Sequence, residues 1–307
     1  MKVLFCNVSE PACGVFQFGE NLFGILRDSS HIEWRLHHAS DKEAFMELAK
    51  GFDAVLYNYS SLIASFVSVA PFAQLEKPQF LIFHDAALDE SRWDGIFFSD
   101  PTLASYGKWH VFGRPLPESS DGPVTRPNTV LPVIGSHGFI GAWAALVVQR
   151  VKDEFHNAQV RLNLPFAKHV DADGAQATAM AERCRAIASD SGIELFINHS
   201  LLPPFALLDW LRSNDMNVYL RPTDMNWRGV ASAPDFALAA DRPIAVNRCN
   251  AFRHLHNLDP SICIEDSNLL QIFEEGIRPL QAFKNRWCSP EIIRRQIENV
   301  IVECASS

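Results

Sequence analysis

The sequence predicts an α/β protein of two domains, each built around a parallel β-sheet. Short apolar, β-prone runs alternate with helical patterns, and this order implies parallel strands joined by right-handed crossovers. The alternation stops at a proline-rich segment and then starts again. With 307 residues, the chain is long enough for two domains that each have their own core.

The first domain is predicted to span residues 1–126. It opens with a strand, a loop that contains Gly14, and a helix, which is how a Rossmann-like unit begins. Only Gly14 and Gly19 stand where a dinucleotide-binding fingerprint needs three glycines, so the sequence does not predict that cofactor site. Strands are predicted at residues 2–8, 33–38, 53–59, 79–84, 94–98 and 108–112, and helices at 17–27, 42–50 and 62–69.

A linker is predicted at residues 113–132, which are dense in proline, glycine and serine. Prolines occur at positions 115, 117, 123, 127 and 132. This composition is incompatible with a helix or a central strand. We therefore place the domain boundary near residue 126.

The second domain is predicted to span residues 127–289 and repeats the strand–helix alternation. A last helix, capped by Ser289, is expected to cover residues 290–305. Strands are predicted at residues 129–134, 159–164, 193–198, 217–222, 244–246 and 261–265, and helices at 142–155, 174–189, 204–212 and 268–276.

One further helix is predicted just after Gly229. Ser232 suits its N-cap, Pro234 its first turn, and Asp235 completes a Ser-x-x-Asp capping pattern. Backbone N–H groups behind a flexible glycine can meet an anion, which the helix dipole also favours. The alternative is an ordinary capped helix without a ligand.

The composition is that of a globular protein and excludes several classes of function. A net charge of −9 and a pI of about 5.6 argue against a protein that binds nucleic acid regardless of sequence. Seven cysteines without paired spacing indicate reduced thiols. Residues 1–8 are too short for a signal peptide, and no apolar run reaches the length of a membrane span. We therefore expect a cytoplasmic protein without a transmembrane segment.

The strand that ends near residue 83 is followed by two polar residues, His84 and Asp85. In open parallel sheets, ligands lie outside the carboxyl ends of the strands. A histidine at that position could transfer a proton or form a hydrogen bond with a substrate hydroxyl. The alternative is a loop histidine that caps a helix.

Three arginines, Arg221, Arg228 and Arg253, fall on loops at one edge of the second predicted sheet. Guanidinium groups beside a helix N-terminus suit a diphosphate, because each can donate two hydrogen bonds to it. The alternative is a set of solvated surface arginines.

Several segments resemble glycosyltransferases of the GT-B fold, in particular family 4-like enzymes. Residues 13–22 resemble the glycine-rich start of those proteins, residues 135–139 the loop after the first strand of their second domain, and residues 239–244 a strand that follows a small-residue helix. The resemblance implies two Rossmann-like domains facing each other across a cleft. It also implies donor-binding roles for Gly14, Ser136, His137, Gly138, His199, Arg221, Arg228, Gly229, Ser232 and Arg253.

The chain departs from that family at two places. Arg228 and Phe236 stand where many retaining members have two glutamates eight residues apart. Neither side chain can accept a hydrogen bond from a sugar hydroxyl, so those two roles do not carry over. In addition, no lysine or arginine occurs between residues 135 and 149, where the family often has one.

The resemblance implies transfer of a sugar from a nucleoside diphosphate donor to a glycan hydroxyl, as in polysaccharide biosynthesis. Loops of the second domain would hold the nucleotide, loops of the first would hold the acceptor, and His84 or Asp85 would meet the reacting hydroxyl. We expect no metal, because the arginines can neutralise a diphosphate and Asp171-Ala-Asp173 fits helix capping. No other cofactor is expected. The alternatives are a catalytically silent module that binds a glycan or a partner, and a sugar-nucleotide epimerase.

Overall fold

The computed structural model describes residues 1–11, 13–59, 75–84, 90–118, 122–138, 143–166, 171–223 and 229–305. The helix predicted at residues 62–69 lies outside these ranges, and so do Asp85 and Arg228. The chain divides into two compact units. The first comprises Met1–Pro115, residues 228–230 and Asn285–Ser307, and the second comprises Leu116–Trp227 and Ala231–Lys284. The boundaries near residue 126 and at residue 289 stay predictions.

The first unit contains a six-stranded parallel sheet in the order β2-β1-β3-β4-β5-β6. The strand order reverses between β1 and β3, because the chain adds β2 on one side of β1 and all later strands on the other. The elements are β1 (Lys2–Asn7), α1 (Gly14–Leu26), β2 (Glu33–His38), α2 (Lys42–Ala49), β3 (Ala54–Asn58), β4 (Gln79–Ile82), β5 (Gly95–Phe98) and β6 (Trp109–Val111).

Both faces of this sheet are covered by apolar side chains. The strands are almost continuous apolar runs, as expected of parallel strands buried on two sides. Helix α1 and the last helix of the chain, α9 (Pro290–Ala305), pack on one face, where Leu22, Ile293 and Ile297 are fully buried. Helix α2 packs on the other face through Phe45 and Ala49.

The second unit contains a five-stranded parallel sheet in the order β11-β10-β7-β8-β9. Its strand order reverses between β7 and β10. Helices α3 and α4 contact each other and strands β8 and β9, while α5 and α6 share a separate apolar cluster. The elements are β7 (Val133–His137), α3 (Ala144–Glu154), β8 (Asn157–Asn163), α4 (Ala175–Ala188), β9 (Gly192–Asn198), α5 (Pro204–Arg212), β10 (Met216–Tyr219), α6 (Ala233–Ala239), β11 (Ile244–Val246), α7 (Leu269–Glu275) and α8 (Arg278–Trp287), whose last three residues belong to the first unit.

The predicted α/β class with two parallel sheets is confirmed, but several local predictions are wrong. Helix α1 begins at Gly14 and not at residue 17, so Gly14 is a helical residue and not a loop residue. Strand β7 begins after Pro132 and runs on to His137. Residues 261–265 form one isolated bridge to Val246 and no strand, because Ser261 closes a turn by donating a hydrogen bond to Asp266. Helix α8 was not predicted.

Two findings concern the chain as a whole. No helix in the described ranges is both long and apolar enough to cross a membrane. All seven cysteines are free thiols, and six of them are buried. Burial raises the pKa of the Cys6 thiol far above its ordinary value and that of the Cys184 thiol to about 11, so both are protonated and unreactive at neutral pH.

The stability of the first unit should depend strongly on the packing of helix α9. Replacing the fully buried Ile297 with alanine leaves a cavity against α1 and the sheet, and should lower the free energy of unfolding by about 2–5 kcal/mol. Val302→Ala is the matched control on the same helix, because Val302 is exposed. Urea denaturation measures both. Equal midpoints for the two variants would contradict the packing described above.

Candidate functional site

Each sheet has one place where the strand order reverses, and in open parallel sheets ligands bind outside the carboxyl ends of the strands at that place. In the first unit these strand ends are Asn7 of β1 and Asn58 of β3. In the second unit they are His137 of β7 and Tyr219 of β10.

At the first edge, meaning the carboxyl ends of the strands in the first unit, polar side chains at or just after the ends of four neighbouring strands are joined by hydrogen bonds. Five residues form this arrangement, which we call the first-edge network: His38, Glu20, Asn7, Asn58 and His84. His38 ends β2, Asn7 ends β1, Asn58 ends β3, and His84 lies two residues after β4, while Glu20 is supplied by helix α1. The network therefore crosses the edge of the sheet from β2 to β4.

The hydrogen bonds of the network are short and continuous. Glu20 Oε1 lies 2.9 Å from His38 Nε2 and 2.8 Å from Asn7 Nδ2. Asn58 Nδ2 donates to Asn7 Oδ1 over 2.8 Å, and Asn58 Oδ1 lies 2.7 Å from His84 Nε2. Asn7 and Asn58 are fully buried, and buried amides are tolerated only when their hydrogen bonds are made.

Gly19 allows helix α1 to approach the two amides. A Cβ atom at Gly19 would lie 2.2 Å from Asn7 Oδ1 and 2.5 Å from Asn58 Nδ2, which is far inside van der Waals contact. The close approach brings backbone carbonyls of α1 within reach, so Asn58 Nδ2 also donates to Val15 O and Asn7 Nδ2 to Phe16 O. Glycine is therefore required here for proximity and not for an unusual backbone conformation.

His84 is held as a neutral ring. Burial, together with the nearby Arg114 guanidinium, lowers the pKa of His84 to about 3. Phe18 contacts the ring edge-on, with 4.9 Å between ring centres. An imidazole with so low a pKa is a poor general base near neutral pH. Of the two roles that the sequence suggested, the environment favours hydrogen bonding to a hydroxyl over proton transfer.

At the second edge, His137 and Tyr219 form a neutral pair at the point of strand reversal. His137 Nδ1 lies 3.1 Å from the Tyr219 hydroxyl, and the ring of Phe236 contacts His137 edge-on. Burial lowers the pKa of His137 to about 4. Burial, with a smaller effect from Asp235, raises the pKa of Tyr219 well above its ordinary value. Ser136 is buried within β7, one residue before His137.

Arg221 lies two residues after Tyr219, the last residue of β10. Its Cζ lies 4.4 Å from the centre of the Trp143 ring and 5.6 Å from that of Phe252. The Asn247 amide holds the Arg221 backbone on both sides, accepting from its N–H over 2.8 Å and donating to its carbonyl over 2.6 Å. Burial lowers the pKa of Arg221, but a guanidinium stays charged at neutral pH.

The other predicted donor-binding residues divide into two groups. In the second unit, Gly138 follows β7, although its N–H already donates to Asn163 O, and His199 follows β9, where its ring stacks on Phe166 at 4.7 Å. Arg253 is the neighbour of Phe252 in sequence and donates to Asn250 O. Gly14 and Gly229 belong to the first unit, so the structure does not group them with Arg221.

The N-cap predicted at Ser232 is in place, but its side chain makes no capping hydrogen bond, so the capping-pattern prediction is wrong. The reason is the backbone conformation. Ser232 has φ −90° and ψ −11°, close to helical values, whereas a capping serine needs an extended backbone. The N–H of Asp235 donates to the Ser232 carbonyl instead.

The Asp171 and Asp173 carboxylates cap helix α4, as predicted. Asp171 accepts from the backbone N–H groups of Gln176 and Ala177, and Asp173 accepts from that of Ala175. Among the residues that the structure describes, no group of three or more histidine, cysteine, aspartate or glutamate side chains could hold a metal ion.

Sequence reasoning missed most of the polar residues at both edges. Asn7 and Asn58 each occupy the last position of a buried apolar strand, which is the one signal that could have identified them. Glu20, His38 and Tyr219 carry no comparable signal, because their roles depend on which strands become neighbours.

Comparison with solved structures relates the fold to glycosyltransferases. AviGT4, a glycosyltransferase involved in avilamycin A biosynthesis, is similar over 100% of this chain and 99% of its own, with a TM-score of 0.67 and 12% identity. An α-glucosyltransferase in complex with UDP and a 13-mer DNA is similar over 98% of both chains, with a TM-score of 0.64 and 10% identity. The trehalose-6-phosphate protein from E. coli, bound with UDP-2-fluoro glucose, is similar over 100% of this chain and 96% of its own, with a TM-score of 0.58 and 10% identity.

These similarities show that the chain has the two Rossmann-like domains of the GT-B glycosyltransferase fold. No family model matches the sequence, and no curated protein is significantly similar to it.

The stability of the protein should fall as the pH is lowered from about 6.5 towards 4. The pKa of His84 is lowered to about 3 and that of His137 to about 4, from an ordinary value of 6.5. In this range the unfolded chain binds protons that the folded chain does not, so acid favours unfolding. Each histidine contributes at most about 1.4 kcal/mol per pH unit, because unfolding lets each ring bind at most one proton.

Urea midpoints at pH 7.5, 6 and 5 measure this dependence. His137→Gln should flatten it, whereas His31→Gln should not, because His31 is exposed on a loop. A wild-type protein whose stability does not change from pH 7.5 to pH 5 would contradict the assigned protonation states.

Proposed function

We propose that the protein is a glycosyltransferase that moves a sugar from a nucleoside diphosphate donor to a hydroxyl of a glycan. The fold supports this proposal, since the similar structures include glycosyltransferases, one of them with UDP and another structure with UDP-2-fluoro glucose. A fold does not imply an activity by itself, so the proposal depends on the residues at the sheet edges.

The observation that carries the proposal is the position of Arg221. It follows β10, one of the two strands between which the strand order reverses, and a ligand of an open parallel sheet is expected at the carboxyl ends of these strands. Its guanidinium lies close to two aromatic rings and Asn247 holds its backbone, so little conformational entropy is lost when it binds an anion. A diphosphate is the part of a nucleotide sugar that such a group recognises.

Charge stabilisation by arginines would be the main contribution of the second domain to catalysis. As the sugar leaves, negative charge develops on the departing diphosphate, and a preorganised cation beside it lowers the barrier. Arg253 follows Phe252, one of the two rings that hold Arg221, and would add a second charge. We propose that the reaction needs no metal.

The first domain would bind the glycan acceptor, with the first-edge network presenting His84 to a hydroxyl. Positioning of the reacting groups would supply the rest of the catalysis. Asp85, the other candidate at this position, is a possible base by its chemistry. We propose a glycan and not DNA as the acceptor, because a chain of net charge −9 is repelled by a polyanion.

A catalytically silent module remains the second candidate, and Phe236 favours it. The ring of Phe236 stands at one of the positions where many GT-B enzymes have a glutamate. It is buried, packs in the cluster of α5 and α6, and touches His137. It offers no acceptor to a donor hydroxyl. A silent module would bind the nucleotide or the glycan without turnover.

Isothermal titration calorimetry with UDP, GDP and ADP tests the proposed donor site. We expect at least one nucleotide to bind, and Arg253→Ala to weaken its binding by about tenfold to somewhat over a hundredfold, because a hydrogen bond to a charged group contributes roughly 1.5–3 kcal/mol. Arg228→Ala should have a similar effect.

Arg183→Ala is the control, because Arg183 is exposed on helix α4 and should not affect binding. Failure of all three nucleotides to bind the wild-type protein would contradict the proposal. Binding without release of the nucleotide from any of the corresponding sugars, with or without glycan acceptors, would favour the silent module.

A further inference from the structure

We propose that Asn58 is a positioning residue for His84, and that, supported by Asn7 and Glu20, it fixes which nitrogen of the His84 ring carries the proton. The hydrogen bonds of the first-edge network have a direction that follows from the chemistry of each donor and acceptor. This inference depends on the proposed function only in naming a sugar hydroxyl as the group that His84 would meet.

The orientation of the Asn7 amide is determined by three neighbours. Its Nδ2 lies next to two acceptors, the Phe16 carbonyl at 3.1 Å and Glu20 Oε1 at 2.8 Å. Its Oδ1 accepts from the Val8 N–H at 2.9 Å. Exchanging the oxygen and nitrogen would place an oxygen against a carbonyl and a carboxylate, so only one orientation satisfies all three bonds.

The Asn7 orientation determines that of Asn58. The Asn7 oxygen and the Val15 carbonyl are both acceptors, so an oxygen of Asn58 placed against them would be repelled. Asn58 Nδ2 reaches both, at 2.8 Å and 2.7 Å. Its two N–H groups are then used, and its Oδ1 points at His84 Nε2 from 2.7 Å. Since Oδ1 can only accept, Nε2 of His84 must carry a hydrogen.

The state of His84 follows. A neutral imidazole has one N–H, so with Nε2 protonated, Nδ1 has a lone pair and accepts. Among the described residues, no group donates to Nδ1. A ligand that meets it must offer a hydrogen, as a sugar hydroxyl does, whereas a phosphate oxygen would face the lone pair and be repelled. The first edge would thus select hydroxyl groups, and the second edge, with Arg221, would select an anion.

Gly19 shows how closely the helix and the amides are matched. Asn58 can reach the Val15 carbonyl because α1 approaches without a side chain at position 19. Apolar residues could fill the same space without the free-energy cost of burying two amides. The hydrogen-bonded arrangement gives the ring a defined proton position, which an apolar contact could not do.

Nitrogen-15 NMR of the full-length protein, labelled in histidine, tests the proposal directly at pH 7. We expect the His84 ring, assigned by its loss in His84→Gln, to be neutral with the proton on Nε2. A ring with the proton on Nδ1, or with both nitrogens protonated, would overturn the proposal, whatever any variant does.

Asn58→Leu has a similar volume and no acceptor. In this variant, we expect a mixture of the two neutral tautomers at His84. The matched control is Asn217→Leu, which removes another fully buried strand amide, one that bonds to Asn214, and should leave the His84 spectrum unchanged. A His84 spectrum that is the same in Asn58→Leu and the wild type would show that Asn58 does not position the proton. If Asn58→Leu does not fold, the wild-type spectrum still decides.

The kinetic arm separates this proposal from the proposed function. Asn58→Leu should lower kcat/KM for a nucleotide sugar by about two- to tenfold, the effect of misplacing one neutral hydrogen bond, and leave the affinity for the free nucleotide unchanged. A wild-type protein without turnover would contradict the proposed function, while the NMR result would still support or overturn the role of Asn58.

Discussion

In a parallel sheet, the residues that follow the strands all lie at the same end of the sheet. Both candidate sites depend on this constraint. Asn7 and Asn58 are 51 residues apart in the chain, yet their side chains form a hydrogen bond because β1 and β3 are neighbours. His137 and Tyr219 are 82 residues apart and meet at the end of β7 and β10 for the same reason. In each unit, the pair lies where the strand order reverses.

The two edges share this geometry but differ in charge. The first edge has amides, a carboxylate and a neutral histidine near the Arg114 guanidinium, and helix α1 is fitted to the amides through Gly19. The second edge has a guanidinium close to two aromatic rings, and a neutral histidine–tyrosine pair. A hydroxyl-bearing ligand suits the first and an anion suits the second. This difference is what the two halves of a sugar-transfer reaction require, and it is the physical basis of our proposal.

Sequence patterns were sufficient for the fold class because burial on both faces makes parallel strands recognisable as short apolar runs. They failed where contacts between distant segments determine the local structure. The Ser232 side chain does not cap α6, since the backbone there is already helical, and residues 261–265 form a turn through Ser261 and Asp266. The place of Arg221 after a strand was enough to identify it as a candidate. Its contacts with the rings of Trp143 and Phe252 could not be predicted, because these residues come from distant segments. Long-range partners of this kind leave no local pattern.

Hydrogen exchange of the intact protein with and without UDP tests most directly whether the second sheet edge is the nucleotide site. We predict slower exchange in peptides that cover the carboxyl edge, at residues 135–138, 198–201, 219–223 and 250–254, and no change at the opposite edge, at residues 130–133, 155–158 and 214–216. Protection confined to the opposite edge, or unchanged exchange throughout at saturating UDP, GDP and ADP, would contradict the account.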